Sequence, residues 1–203
     1  MIRLAQAQPG WALGFADEVW WSRLAQPTIH VWSAADVTPH VVELERPKGD
    51  PDPKALACYG VLVRSSTPQQ ADQMLLRFVD GRPVSDVTSD FLAWGCERLA
   101  AQGKTAWLLV WDNAPWHVSK AVRTWIKQHN RTVKTQGQGV RILACYLPTK
   151  SPWLNAIEPK WQHGKRAVVE LARLLTAQEL ADRVCAYFGC PHEPHLSLSD
   201  KVA

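Results

Sequence analysis

A mixed α/β fold, with one sheet flanked by helices, is the architecture this sequence predicts. Three observations carry it. Four apolar and aromatic runs come first, separated by turn-rich stretches such as RPKGDPDP (46–53) and VDGRP (79–83). Segments with helical spacing then alternate with further apolar runs. Finally, 203 residues with 46% hydrophobic content suit one domain with a sizeable core, 1–203, and are too few for two comfortable ones. Strands first and alternation later give an antiparallel meander, followed by parallel strands reached through right-handed helical crossovers.

Each element follows from its own residues. Trp11 to Trp21, Thr28 to Ser33, Leu56 to Arg64 and Met74 to Val79 read as strands. Ser89 or Asp90 then caps a helix whose buried face carries Leu92, Cys96, Leu99 and Ala100 and which ends at Gly103. Ala106 to Trp111 is a strand. From Val118 to Asn130 the pattern is helical, with Val118, Val122, Trp125 and Ile126 on one face and Lys/Arg on the other. The polar, Gly-containing RTVKTQGQG (131–139) reads as a surface loop or short hairpin. Arg141 to Leu147 is the next strand. The last two helices start near Ala156 and Ala177, the second capped by Thr176 with Glu179 three residues on, a capping-box pattern.

Composition excludes some functions and permits others. A net charge of +4, from 23 Lys and Arg against 19 Asp and Glu, allows a polyanionic partner without requiring one. No apolar run reaches the roughly 18–20 residues that span a bilayer, and MIRLAQAQPG lacks the apolar core of a secretory signal, so no membrane partner and a cytoplasmic setting are expected. The five cysteines, Cys58, Cys96, Cys145, Cys185 and Cys190, are odd in number and lie mostly in apolar stretches, which suits reduced, buried thiols. Near the end, Cys185, Cys190, His192 and His195 can be drawn as a zinc site. Their spacing matches no common zinc pairing, and a Pro-rich, frayed terminus is the alternative reading.

Three acids stand out because they sit where elements end or where a carboxylate is costly. Asp112 ends an apolar run in LLVWDNAPWH. Glu158 opens a helix after the loop that follows the strand Arg141 to Leu147. Asp17 lies inside the aromatic run WALGFADEVWW, where an unpaired carboxylate is expensive to bury. Acids at the carboxyl ends of adjacent strands face a common crevice. Strand alternation sends Asp17 and Glu18 to opposite faces, so Asp17 is assigned to the site and Glu18 to a supporting or opposite-face position. The chemistry that needs such a set is phosphodiester cleavage and transfer with two divalent ions, Mg²⁺ or Mn²⁺, which prefer carboxylate oxygen. Taken singly, each acid has a structural alternative as a cap or surface group.

The pair Asp17–Glu18, the D-N-A-x-x-H pattern of Asp112, Asn113, Ala114 and His117, and the S-P-x-L-N-x-I-E-x-x-W pattern from Ser151 to Trp161 resemble the catalytic domain of DDE transposases, in the bacterial insertion-sequence branch related to mariner-like elements. The resemblance covers about Trp11 to Leu175. It implies a ribonuclease-H-like fold and metal-dependent cleavage of the element's DNA ends followed by strand transfer into target DNA. It also implies catalytic and metal-binding roles for Asp17, Asp112 and Glu158, and a homodimer. Two departures are visible: Ala156 stands where the family usually has Pro, and the interval from Asp112 to Glu158 is long, which the polar stretch around Lys134 to Gly139 would explain as an insert. The family's helix-turn-helix DNA-binding modules are not found before the first strand, so a catalytic half, with a separate N-terminal DNA-binding half as partner, is expected.

Supporting positions follow from spacing. Glu158, Gln162 and Lys165 share one helix face, beside an apolar stripe of Ile157, Trp161, Val168 and Leu171, so Lys165 can reach DNA bound at Glu158. His117 can contact a phosphate, polarise a water or cap its helix. Asn113 and Asn155 fix the turns that aim the acids. Most of the eleven tryptophans belong to the core, whereas Trp116 and Trp153, in loops beside proposed ligands, are candidates for stacking on bases. Lys120, Arg123, Lys127, Arg131, Lys134 and Arg141 could line a phosphate track or simply solvate a surface. A nuclease or resolvase of the same fold, and a non-catalytic DNA-binding remnant of a decayed element, remain alternatives.

Overall fold

The strands β1 (Trp11–Ser22), β2 (Ala55–Arg64) and β3 (Gln73–Val79) form where aromatic, aliphatic and β-branched residues run together between turns. The computed structural model describes residues 8–24, 36, 45–65, 70–170 and 172–197. The expected strand Thr28 to Ser33 lies outside the described residues. β1 pairs antiparallel with β2, and β2 with β3, giving the meander. β4 (Ala106–Trp111) and β5 (Arg141–Tyr146) add to the other side of β1 as parallel strands. The resulting order, β3-β2-β1-β4-β5, puts the first described strand at the centre of the sheet.

Helices cover both faces, and strand alternation decides which side chain meets which helix. On one face, Ala12, Ala16, Trp107, Leu109 and Trp111 pack with residues of α1 (Ser85–Ala101) and α2 (Lys120–Gln136). On the other, Leu13, Phe15, Val19, Leu108 and Val110 pack with residues of α3 (Glu158–Ala167) and α4 (Ala177–Phe188). The capping box of α4 is present: Glu179 N–H donates to the Thr176 hydroxyl at 3.1 Å, and Thr176 N–H donates to the Glu179 carboxylate at 2.8 Å.

Two helices differ from their expected bounds. α1 begins at Ser85, a turn before Ser89, because the Thr88 and Ser89 hydroxyls donate back to the carbonyls of Val84 and Ser85 (2.9 and 3.1 Å) and so serve the helix interior, not its cap. Ala100, assigned to the buried face, is exposed. α2 begins at Lys120, beyond Val118, with the Ser119 hydroxyl accepting from Val122 N–H, and it runs on to Gln136. The polar stretch read as a loop or insert is therefore mostly the last turns of a longer helix. Only Gly137, in a left-handed conformation at φ 69°, stops it.

Candidate active site

The two aspartates reach the same level through strand register. The parallel ladder between β1 and β4 ends at the pair Phe15 and Val110, and Asp17 and Asp112 each lie two residues farther on. The third acid arrives from the opposite direction. After β5 the chain makes a short 3₁₀ turn, Pro152–Leu154, and enters α3 at Glu158. Buried Asn155 fixes that approach, its side-chain amide donating to the Ala16 carbonyl at 3.0 Å. Asp17, Asp112 and Glu158 thus line one cleft of about 370 Å³, together with Asn113, Asn155 and the 147–152 loop. Lys150, which the sequence did not single out, also lines it and holds a left-handed backbone at φ 60°.

Asp17 is more deeply embedded than Asp112. Burial pushes its carboxyl up to about 8, and the neighbouring acids Glu18, Glu158 and Asp112 add to the rise. The Trp161 indole N–H donates to its Oδ2 at 3.1 Å. Room for that indole exists because Gly60, the β2 residue opposite Asp17, has no side chain: a Cβ there would stand 2.2 Å from the Trp161 ring. From spacing alone Trp161 belongs to the apolar stripe of its helix, and nothing in that pattern points to Gly60. A glycine inside an apolar strand is the signal that could have found the close approach.

Asp112 is held from the other face of the sheet. His117, 1% exposed, places Nδ1 at 2.7 Å from Asp112 Oδ1 and Nε2 at 2.7 Å from Glu18 Oε1. Its ring stacks on Trp111 with centroids 4.3 Å apart. Burial disfavours the imidazolium, but the bonds to the two carboxylates outweigh it and lift the pKa to about 9. Both ring nitrogens therefore donate at neutral pH. The bond from His117 in turn lowers the pKa of Asp112, and the Ala114 N–H, donating to the same carboxylate at 2.9 Å, lowers it further. Glu18 does face away from Asp17, as alternation required, and it anchors the histidine that grips Asp112. Asn113 donates its side-chain amide to the Leu147 carbonyl at 2.6 Å, tying the β4 loop to the end of β5.

The rim is less uniform than the sequence suggested. Trp153 stands 75% exposed beside the cleft, and Gln162 and Lys165 are exposed on α3. Trp116 is half-buried and sets its ring edge-on to His117, packing behind the site and not lining the cleft. Val168 of the apolar stripe is buried; Leu171 lies outside the described residues. The basic residues Lys120, Arg123, Lys127, Arg131 and Lys134 lie exposed along α2, and Lys127, Arg131, Lys134 and Arg141 line one open depression at the β5 edge.

Carboxylate oxygens from Asp17, Asp112 and Glu158 are a donor set for a hard divalent cation. Among the described residues no three His, Cys, Asp or Glu side chains already form a closed cage. The acids instead share a cleft in which their mutual repulsion, visible in the raised pKa of Asp17, would be relieved by positive charge.

A family model described as DDE superfamily endonuclease matches residues 15–181. No curated protein matches the chain. Among solved structures it is similar to a Mos1 transposase paired-end complex with left transposon end, at TM-score 0.59 and 15% identity over 90% of this chain and 48% of that chain. It is also similar to the Mos1 strand transfer complex, at TM-score 0.55 and 15% identity over the same shares, and to the Mos1 mariner paired end complex with Mn, at TM-score 0.54, 15% identity, and again 90% and 48%. The chain thus spans about half the length of these structures' chains. The likeness is one of fold, and it agrees with the ribonuclease-H-like architecture expected from the sequence.

Proposed function

This chain belongs to the DDE superfamily endonucleases, and from that premise we propose that it is the catalytic part of a transposase, cleaving the DNA ends of a mobile element and joining them to target DNA. The observation that carries the reading is the convergence of Asp17, Asp112 and Glu158, from three separate elements, on one cleft at the carboxyl ends of parallel strands.

In this reading the three acids hold two Mg²⁺ or Mn²⁺ ions, which when bound activate the attacking oxygen and stabilise the leaving one. The rest is done by the chain's own groups. His117 donates to one oxygen of Asp112, and Glu18 fixes the imidazole from behind. Trp161 donates to one oxygen of Asp17 and holds that carboxylate against β2. Asn155 ties the Glu158 approach to β1, and Asn113 ties the Asp112 loop to β5. Trp153, Gln162 and Lys165 meet the DNA at the rim, and the basic face of α2 follows its phosphates.

The partners proposed are the element's terminal inverted repeats and target DNA. A homodimer and a separate DNA-binding N-terminal half complete the proposed assembly. The proposed setting is a bacterial insertion sequence acting in the cytoplasm at the nucleoid; no helix among the described residues is long and apolar enough to cross a membrane.

Calorimetric Mn²⁺ titration tests the site. The wild type should bind, and Asp17→Ala, Asp112→Ala and Glu158→Ala, each folded by circular dichroism, should lose binding. Unchanged binding in the folded variants would sink the three-acid site. On DNA, Asp112→Asn should remove cleavage while leaving the fold and most DNA binding in place, and product analysis on denaturing gels separates strand joining from simple hydrolysis.

A further inference from the structure

Outside the acidic cleft, the segment after α4 folds back to the end of β3. Leu196 pairs with the end of β3, its N–H donating to the Phe78 carbonyl and its carbonyl accepting from Asp80 N–H, both at 2.8 Å. This return brings two histidines face to face over the Phe78 ring. His192 Nε2 and His195 Nε2 lie 3.2 Å apart. Behind each ring stands a carboxylate: His192 Nδ1 is 2.6 Å from Asp182 Oδ1 on α4, and His195 Nδ1 is 2.7 Å from Asp80 Oδ1 after β3. The Gln178 amide also donates to Asp182, at 3.1 Å to each oxygen.

The hydrogen-bond arithmetic of this cluster does not close with neutral side chains. An ionised carboxylate only accepts, so each Nδ1 must carry the proton. Neutral imidazole has one N–H, which leaves both Nε2 atoms as acceptors only 3.2 Å apart, with no proton between them. A cation between them resolves the clash. With Zn–N bonds of ~2.05 Å and a tetrahedral angle, two imidazole nitrogens sit ~3.3 Å apart and their ring centres ~5.2 Å apart. The observed values are 3.2 and 5.3 Å. Carboxylates that orient metal-binding histidines through the far nitrogen are the usual outer support of such sites.

We propose that His192 and His195, oriented by Asp182 and Asp80, bind a borderline divalent cation, Zn²⁺ first and Cu²⁺ or Ni²⁺ in its place, that staples the segment after α4 to β3. Nitrogen ligands separate this site from the oxygen-lined cleft, which suits Mg²⁺ and Mn²⁺. The shell holds two protein nitrogens, with water completing it. Sulfur does not take part: Cys190 Sγ turns to the Cys185 carbonyl at 3.7 Å, and Cys185 is buried. The four-residue zinc site drawn from the sequence thus becomes a two-histidine site.

The test is Zn²⁺ titration of the full chain by calorimetry, with the melting temperature followed in parallel. One Zn²⁺ equivalent bound by the wild type should be lost in His192→Asn and in His195→Asn, while Asp182→Asn should weaken it by roughly 10–100-fold. At a hundredfold excess over Kd the wild type should melt about 5–10 °C higher, and the two histidine variants should not. Equal stoichiometry and affinity in wild type and both histidine variants would overturn the proposal. Nitrogen-15 NMR of the imidazoles gives an answer even where a variant fails to fold. Zn²⁺ should shift both Nε2 resonances of the wild type, and unshifted resonances would mean that the pair shares a proton instead, which also overturns it.

Discussion

His117 shows how much can rest on one side chain, because it joins two carboxylates that come from different strands. Its folded pKa of about 9 lies above the ordinary histidine value of 6.5. Its contribution to stability, on the order of 3 kcal/mol, is therefore fully present below pH ~6.5 and is lost as pH rises through about 9. Asp17 acts in the same direction. Its carboxyl is raised from 3.8 to about 8, so the fold holds a proton that the unfolded chain releases, and stability falls as pH climbs between those values. The metal-free protein should accordingly lose melting temperature from pH 6 to pH 9, with the loss beginning at lower pH in Glu18→Gln, which removes one of the charges that keep His117 protonated. Scanning calorimetry across that range checks it, and a flat or rising profile contradicts it. A second prediction at this scale concerns Gly60. Its replacement by Ala should push the Trp161 ring aside, cost about 1–3 kcal/mol in urea unfolding, and weaken Mn²⁺ binding through loss of the bond to Asp17. The three acids were legible in the sequence because they break apolar runs or open a helix. The bridging of His117 was not, since both of its partners are set by tertiary register that no local pattern records.

At the scale of elements, the strands that lie in the described residues read clearly, whereas helix ends read well only at α4, whose start at Ala177 and Thr176 cap were expected. β4 matched its expected bounds and β5 ended one residue before its expected end, because apolar runs between turn residues leave little choice. The expected stop of α2 at Asn130 failed for a physical reason: RTVKTQ carries no breaker, and the side chains that begin it are anchored to the sheet. Asn130 donates to the Ile142 carbonyl at 2.8 Å and accepts from Ile142 N–H at 2.7 Å, while His129 Nε2 meets the Val140 carbonyl at 2.8 Å. These bonds satisfy the edge strand β5 with side chains where no further strand pairs among the described residues. Asn130→Ala should leave the backbone groups of Ile142, a buried residue, unpaired and cost about 1–3 kcal/mol. Denaturant unfolding reads the cost, and hydrogen exchange should show faster exchange at Ile142 than at the central strand. Protection at Ile142 equal to wild type would mean that the helix does not hold this edge.

For the whole molecule, the charges divide the labour that the proposed function requires. The acids gather in the cleft, while Lys127, Arg131, Lys134 and Arg141 share a depression on the flank of α2 and the β5 edge. The net charge of +4 is small, so a phosphate-binding role depends on this local clustering and not on the overall balance. If the flank carries DNA, each phosphate contact adds a fixed increment to the salt dependence of binding, about 0.9 in the slope of log K against log salt for duplex DNA. Replacing Lys127, Arg131, Lys134 and Arg141 with Ala should then lower that slope by up to roughly 3–4 and weaken binding similarly for all sequences. Asp112→Asn should leave the slope unchanged or slightly raise affinity, since it removes a negative charge without touching a phosphate contact. Fluorescence anisotropy with a labelled duplex over a range of salt concentrations measures both variants against wild type. A slope that stays at the wild-type value in the fourfold variant would mean that the basic flank merely solvates α2 and that DNA enters over the α3 rim, past Trp153 and Lys165.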